Sequence, residues 1–222
     1  MCSQGFSHIS TGGIGYLQTV GMYAPEKRIE QHRNVIAAAR KSGVQKIVYT
    51  SVQGAEENTA FSPIIQCNRQ TEQDVRDSGL DWVIGRNGIY IEPDVEYIET
   101  YRGAGGISNC AGDGSCGYTT RPELAFAYAR MLTEDKHKAH TNNLQGEAIT
   151  QYHLAECLNG AFGTELVYTP MTVEDYRIEQ VANPTNSHSR NEDQIPRAGG
   201  LGQSELVELR TVRTTGLEDH RR

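Results

Sequence analysis

The sequence predicts an α/β fold with a doubly wound parallel sheet, and three observations lead to this prediction. Helical and strand patterns alternate between residues 29 and 170. The two clearest strands, Lys46–Val52 and Asp81–Asn87, are apolar without strict alternation, which is typical of strands covered on both faces. Each follows a helical pattern that ends at a glycine, Gly43 or Gly79. Helices and strands at this spacing form right-handed βαβ units and therefore a parallel sheet.

The first two helices are predicted from their faces and ends. Residues 28–42 are rich in helix formers and repeat apolar positions every third or fourth residue. The predicted inward face of this helix contains Ile29, His32, Val35, Ile36 and Ala39. A second helix begins at Ser62, an N-cap residue followed by Pro63 at the first helical position, and runs to about Ser78.

The later elements are shorter. Thr120 and Glu123 form a capping box that begins a third helix. Its predicted inward residues are Leu124, Ala127, Tyr128, Met131 and Leu132. A fourth helix is expected at about residues 151–160 and a short strand at 165–169. Residues 183–222 are charged and lack aromatic residues, so we expect a mobile tail there, with one short helix at most.

Charge and composition exclude several classes of protein. No run of eighteen apolar residues is present, and the first residues lack the basic and apolar regions of a secretory signal. A net charge of −7 argues against a protein that coats nucleic acid. Five cysteines without a CxxC pair indicate reduced thiols, and no zinc ligand set completes the His137/His140 pair. We therefore expect a cytoplasmic protein without nucleic-acid, membrane or metal partners.

Two short motifs have the spacing of cofactor-binding signatures, but the residues around them argue against that function. Residues 11–17 resemble a glycine-rich dinucleotide turn, but Gln18 stands where a third small residue is needed, and Pro25 interrupts the helix that should follow. Tyr23 and Lys27 have the spacing of a catalytic Tyr–Lys pair. Pro25 places Tyr23 outside the helix that Lys27 begins, so the two side chains would not share a face.

The ends of the predicted strands carry polar residues. Three successive strand tips have the sequences Ser10-Thr11-Gly12, Tyr49-Thr50-Ser51 and Arg86-Asn87-Gly88-Ile89-Tyr90. Ligands of open parallel sheets bind at the carboxyl ends of the strands. Hydroxyls, an amide and glycines at these ends could bind a ribose or a carboxamide and admit a flat ring. Ordinary loop polarity is the open alternative.

Six segments resemble the NmrA-like atypical short-chain dehydrogenase/reductases, and within them the subgroup of quinone and triphenylmethane reductases. These segments are RIEQHRNVIAAARKSGVQKIVYTS (28–51), RQTE (69–72), GRNGIY (85–90), AGDG (111–114), YTTRPELA (118–125) and TNNLQGEAIT (141–150). The resemblance extends in order over residues 26–182. It implies a Rossmann-like fold with a small α/β substrate lobe. It also implies hydride transfer from NAD(P)H, with NADP slightly favoured, to a quinone, an azo dye or a similar conjugated acceptor.

The resemblance also implies a division of the chain and roles for individual residues. Residues 1–102 would form a partial NAD(P)-binding core, residues 103–182 the substrate lobe with elements that complete the core, and residues 183–222 the tail. The residues that the resemblance assigns to the cofactor are Ser10, Thr11, Gly12, Thr50, Ser51 and Asn68. Asn87 and Tyr90 would face the nicotinamide and the acceptor as catalytic residues. A homodimer is an open alternative to a monomer.

Two departures from the family leave other functions open. The family has a glycine fingerprint and further βα units that do not precede Met1, so we expect a core truncated at its N-terminus. Asn68 stands where the family carries His or Lys, and an amide supplies no positive charge there. The alternatives are a non-catalytic module that senses a nucleotide or binds a protein, and an inactive gene fragment.

Overall fold

The computed structural model describes residues 8–9, 14–17, 25–54 and 63–182. The strands within them are β1 (His8–Ile9), β2 (Ile14–Leu17), β3 (Lys46–Val52), β4 (Asp81–Asn87), β5 (Ile89–Tyr90), β6 (Gly106–Asn109), β7 (Ser115–Thr119), β8 (His140–Leu144), β9 (Ala148–Thr150) and β10 (Val167–Pro170). The helices are α1 (Pro25–Lys41), α2 (Pro63–Arg76), α3 (Glu92–Glu96), α4 (Ile98–Ala104), α5 (Arg121–Thr133), α6 (Gln151–Phe162) and α7 (Val173–Ala182).

The chain divides into two compact units. The first takes its described residues from Met1–Gly88 and Thr119–Gln145, and the second from Ile89–Tyr118 and Gly146–Arg222. The domain boundaries predicted at residues 102 and 182 rest on composition and resemblance, and they stay predictions. Among the described residues, no helix is both long and apolar enough to cross a membrane.

The main sheet of the first unit confirms the predicted α/β fold with parallel strands. Its strand order is β1-β2-β3-β4-β8, and β2, β3, β4 and β8 all run parallel. Ile47 of β3 lies opposite Trp82 of β4, and Thr50 lies opposite Gly85. The bounds of β3 and β4 are those predicted from the sequence. Gly43 and Gly79, predicted to follow the ends of α1 and α2, both have a left-handed backbone.

The strand β1 differs from the prediction. It runs antiparallel to β2, with His8 opposite Tyr16. Its carboxyl end therefore lies at the other edge of the sheet from the carboxyl ends of β3 and β4, and the predicted grouping of three parallel strand tips is wrong for the strand that ends at Ile9. The strand β2 also stands where a dinucleotide turn would begin a helix. Residues 10–12, with Ser10, Thr11 and Gly12, lie outside the described residues, as does Tyr23.

Different helices cover the two faces of the main sheet. On one face Ile47, Tyr49 and Ile84 pack against α1 and α2. The helical members of this core are Ile36, Ala39 and Val75. Alternate strand residues point to the other face, where Val48 and Val83 are fully buried and α5 lies against β3 and β4. Burial on both faces explains why β3 and β4 carry apolar residues at successive positions.

Polar contacts fix both ends of α5. At its start Thr120 accepts from the backbone N–H of Glu123, and the Glu123 carboxylate accepts from the backbone N–H of Thr120, so the predicted capping box is confirmed. At its end the ammonium group of Lys46 donates to the carbonyl of Glu134 at 3.0 Å and to that of Leu132 at 3.4 Å. A buried lysine at the first position of β3 thus satisfies carbonyls that the helix leaves unpaired.

The second unit contains two small sheets around its own core. The strands β6 and β10 are parallel, and β5, β7 and β9 form a three-stranded sheet in which β7 and β9 are antiparallel. The buried core consists of Ile91, Val95, Ile107, Leu154, Ala155, Leu158, Leu166 and Tyr168. The glycine-rich segment after Gly103 thus contributes two strands that its composition did not predict.

We expect Gly85→Ala to destabilise the chain, because the new Cβ would lie 2.6–2.8 Å from the ring and hydroxyl of Tyr128. Overpacking of this kind costs about 1–3 kcal/mol. Urea denaturation would measure the change in the free energy of unfolding. The matched control is Gly160→Ala in α6, where nothing lies within 4 Å of the new methyl group and a small gain is expected. Equal stability of Gly85→Ala and the unmodified chain would contradict this packing.

Candidate functional site

The carboxyl ends of β3, β4 and β8 meet at one edge of the main sheet. Val52 lies opposite Asn87, and Asn87 lies opposite Leu144. The backbone N–H of Gly88 donates to the Leu144 carbonyl at 2.9 Å, and the N–H of Gln53 donates to the Asn87 carbonyl at 2.9 Å. The edge is thus held together beyond the last strand residue. Thr50, Ser51 and Asn87, predicted from the sequence as site residues, all lie here.

The pleat of the sheet separates these residues into two sets. Thr50 and Asn87 belong to the face that α5 covers, since Gly85 on the same side of β4 meets Tyr128 of that helix. Ser51 belongs to the opposite face, and its side chain contacts α2. Thr50 is half-buried, whereas Ser51 and Asn87 are buried. The α5 face of the edge therefore presents a hydroxyl and an amide together.

The amide of Asn87 is oriented by Tyr128. The Tyr128 hydroxyl lies 2.6 Å from Asn87 Oδ1 and 3.0 Å from the Gly85 carbonyl oxygen, and it donates its proton towards these two acceptors. Because Oδ1 accepts from the Tyr128 hydroxyl, the Nδ2 group of Asn87 is the donor end of the side chain. The sequence predicted Tyr128 only as an inward residue of the helix, and the structure gives it this additional contact.

On the opposite face, a buried carboxylate forms ion pairs with three arginines. Glu72 of α2 has no exposed surface, and it forms ion pairs with Arg69 at 2.7 Å, Arg76 at 3.0 Å and Arg86 at 2.7 Å. The hydroxyl of Ser51 donates to Glu72 Oε1 at 2.7 Å. We call these five residues the Glu72 cluster. It joins α2 to the ends of β3 and β4, directly behind the edge that carries Thr50 and Asn87.

The charges in the Glu72 cluster keep its carboxylate ionised. Burial alone raises the pKa of Glu72, but hydrogen bonds from Arg86 and Ser51, with the positive charges of Arg69 and Arg86, hold that pKa below its usual value. Three guanidinium groups surround one carboxylate, which leaves a surplus of positive charge. Contact between Ser51 and a cofactor stays a prediction, and it would have to share the hydroxyl that Glu72 now accepts from.

Asn68 is buried beneath the same face of the sheet. Its Oδ1 accepts from Arg28 at 3.1 Å and from the hydroxyl of Tyr49 at 2.7 Å. Tyr49 directly precedes Thr50 in β3. Its Nδ2 is buried without a hydrogen-bond partner among the described residues. The role of Asn68 as a hydrogen-bond donor to the cofactor stays a prediction, and Nδ2 is the atom that would donate.

Tyr90 lies in the second unit. It forms part of the short strand β5 and is half-buried. Asn87 and Tyr90, predicted together as catalytic residues, belong to different units, and their catalytic roles stay predictions.

The sequence contains a local signal for one part of the Glu72 cluster. Arg69, Glu72 and Arg76 have the spacing of neighbours on one helical face. The contact with Arg86, fourteen residues along the chain, depends on how α2 lies over β4, and no local pattern reveals it.

Comparisons with known proteins support the predicted family. A family described as NAD(P)H-binding matches residues 9–135. Quinone oxidoreductase 2 of Escherichia coli is 32% identical over 165 residues, which are 74% of this chain and 57% of that protein. An NmrA-like family domain-containing oxidoreductase of Aspergillus flavus is 32% identical over 62% of this chain and 45% of its own length. The chain thus spans about half the length of the curated relatives it matches.

A solved structure with a similar fold agrees. The crystal structure of Citrobacter sp. triphenylmethane reductase complexed with NADP(H) superposes with a TM-score of 0.68 at 31% sequence identity, over 77% of this chain's length and 60% of its own.

We expect Glu72→Gln to destabilise the chain by about 3–5 kcal/mol at pH 7, because three arginines would lose their buried counter-charge. The pKa of Glu72 is lower in the folded chain, so its stabilisation is full above about pH 4.3 and is lost as the pH falls through the folded pKa. Melting temperatures between pH 7 and pH 3 would show a weaker acid dependence for the variant.

The matched control for this prediction is Asp77→Asn, one residue after the end of α2, where the exposed carboxylate accepts only from Gln73 among the described contacts. We expect this variant to keep both the stability and the acid dependence of the unmodified chain. Parallel pH profiles for Glu72→Gln and the unmodified chain would show that the cluster does not stabilise the fold through its charge.

Proposed function

Because the chain belongs to the NAD(P)H-binding family, and its relatives bear out the predicted resemblance to NmrA-like reductases, we propose that it is an NAD(P)H-dependent reductase of quinone-like conjugated acceptors. The observation that carries this proposal is that Thr50 and Asn87 belong to the same face at the carboxyl edge of a parallel sheet. Ligands of open parallel sheets bind at this edge, and a hydroxyl with an amide suits a neutral, polar ring substituent.

The described residues fit the nicotinamide riboside end of the cofactor. Thr50 supplies a hydroxyl, and Nδ2 is the donor end of the Asn87 amide, which would donate to a carboxamide or ribose oxygen. Asn68 Nδ2 and Asn142 Nδ2 are buried donors without hydrogen-bond partners among the described residues of this unit. The pyrophosphate end finds no helix N-terminus where the glycine-rich turn stood in the sequence, since β2 occupies Ile14–Leu17.

When bound, the nicotinamide supplies a hydride from its C4 atom to the acceptor, and that chemistry belongs to the cofactor. The chain's own residues position the ring and the acceptor. Thr50 and Asn87 would orient the ring through its substituents, and α5 would exclude water from the face behind them. Contact between Tyr90 and the acceptor stays a prediction of the family resemblance. Ser51 would act by holding β3 in place through Glu72.

Binding and turnover test the proposal separately. The purified full chain is titrated with NADPH and with NADH by calorimetry, and the loss of NADPH absorbance is then followed with a small benzoquinone. We expect binding of both cofactors, with NADPH slightly favoured, and reduction of the quinone. No binding of either cofactor would overturn the proposal. Binding without reduction of conjugated acceptors would contradict the reductase and favour the nucleotide-sensing alternative.

Thr50→Val tests the site within the proposal. It removes the hydroxyl and keeps the branched shape, so a lost hydrogen bond of about 0.5–1.5 kcal/mol should raise the Kd for NADPH about two- to tenfold. The control is Thr133→Val in α5, whose exposed hydroxyl donates to the Ala129 carbonyl at 2.9 Å. An unchanged Kd for Thr50→Val would remove Thr50 from the site.

A further inference from the structure

Arg69 is anchored at the carboxyl end of β3 through a single nitrogen of its guanidinium group. Its Nη1 donates to Glu72 Oε1 at 2.7 Å and to the Val52 carbonyl at 3.1 Å, and it lies 3.3 Å from the hydroxyl oxygen of Ser51. These are the only hydrogen bonds between the Arg69 side chain and the described residues. Contacts of Nη1 alone therefore hold the guanidinium group in place.

The bidentate edge of Arg69 is open. The Nε and Nη2 atoms of an arginine form the edge that binds two oxygens of one anion side by side. Arg86 uses this edge within the same cluster, because its Nε and Nη2 lie 2.9 and 2.7 Å from the two carboxylate oxygens of Glu72. In Arg69 neither of these two atoms has a hydrogen bond to a described residue.

The open edge of Arg69 is accessible to solvent. The side chain is 22% exposed. Neither its Nε nor its Nη2 belongs to the buried nitrogen and oxygen atoms that lack a hydrogen-bond partner among the described residues. An unpaired nitrogen outside that set has exposed surface, so a ligand in solution can reach both donors without displacing a contact to a described residue.

The charge around Arg69 favours an anion with two negative charges. The Glu72 cluster contains three guanidinium groups and one carboxylate, which leaves two positive charges uncompensated within the cluster. The carboxylate of Asp74, also on α2, does not compensate them, because it pairs with Arg33 at 2.7 Å. A phosphoryl group carries close to two negative charges at pH 7 and has three acceptor oxygens, so it matches both the charge and the open edge.

We propose that Arg69 binds the phosphoryl group of a ligand at the carboxyl edge of the main sheet, through Nε and Nη2. Glu72 acts as a positioning residue, since it holds Nη1 and thereby directs the other two nitrogens away from the cluster. Ligands of open parallel sheets bind at this edge. The phosphoryl group has two possible sources, inorganic phosphate and the cofactor. Only the second source rests on the proposed function.

Nuclear magnetic resonance on the nitrogen-labelled full chain, titrated with inorganic phosphate, tests the site. Sodium chloride keeps the ionic strength constant. We expect a saturable shift of the Nε–H signal of Arg69. Arg33 is the internal control, because its Nε and Nη2 already bind Asp74 at 2.7 and 3.2 Å, and its signal should show no saturable shift. No saturable shift at Arg69, or an equal shift at Arg33, would overturn the proposal.

Two variants separate the bidentate edge of Arg69 from its charge. Arg69→Lys keeps a cation beside Glu72 but has no bidentate edge, so the Kd for phosphate should rise about tenfold. The backbone amide shift of Val52 would measure this Kd. The control Arg33→Gln on α1 should keep the Kd of the unmodified chain. An unchanged Kd in folded Arg69→Lys would contradict the proposal, and the titration of the unmodified chain decides the site if this variant does not fold.

Titration with NADPH and with NADH identifies the source of the phosphoryl group, since the two cofactors differ by one such group. A shift of Arg69 with NADPH alone would assign that group to the site, and a shift with both would assign the pyrophosphate. A cofactor that binds without shifting the Arg69 signal would overturn the cofactor as the source. If neither cofactor binds, the proposed function fails, whereas the phosphate titration still decides the Arg69 site.

Discussion

The candidate site depends on the contacts that the buried carboxylate of Glu72 makes. It draws α2 onto the ends of β3 and β4 by accepting from Ser51 on one strand and Arg86 on the other. Burying an ionised group costs free energy unless several donors surround it. Here the donors come from α2, β3 and β4, so all three elements must be folded together to stabilise the carboxylate. The position of the strand ends and the ionisation of Glu72 are therefore coupled.

The two faces of the main sheet carry different kinds of contact. Towards the carboxyl ends of β3 and β4, the face under α1 and α2 carries internal polar contacts, in which Ser51 and Arg86 bind Glu72. The face under α5 carries both Thr50 and Asn87, whose amide oxygen accepts from Tyr128. Adjacent residues such as Thr50 and Ser51 thus have different surroundings, because successive strand residues point to opposite faces of the sheet.

Much of the fold of the first unit could be predicted from the sequence because its strands are buried on both faces. The limits of β3 and β4 followed from apolar runs between glycines, and the start of α5 followed from the Thr120 and Glu123 pair. The direction of β1 could not be predicted, since a strand of two residues carries no periodic pattern. The strand β6 was hidden by its composition: it begins at Gly106, where a Cβ would collide with the Val167 carbonyl of the neighbouring strand.

The candidate site was predicted only in outline. The sequence placed polar residues at the carboxyl edge, which the register of β3 and β4 supports. It could not show that Ser51 would be engaged by Glu72, or that Asn87 would be oriented by Tyr128, because both partners come from helices far along the chain. Pairings of this kind depend on how a helix rotates over a sheet, and a single sequence does not encode that rotation in any local pattern.

The chain has a single tryptophan, and it lies beside the Glu72 cluster. The guanidinium carbon of Arg76 stands 5.6 Å from the centre of the Trp82 ring, while its Nη2 holds Glu72. We therefore expect protonation of Glu72 to change the intrinsic fluorescence of the chain, because Arg76 links this carboxylate to the indole ring.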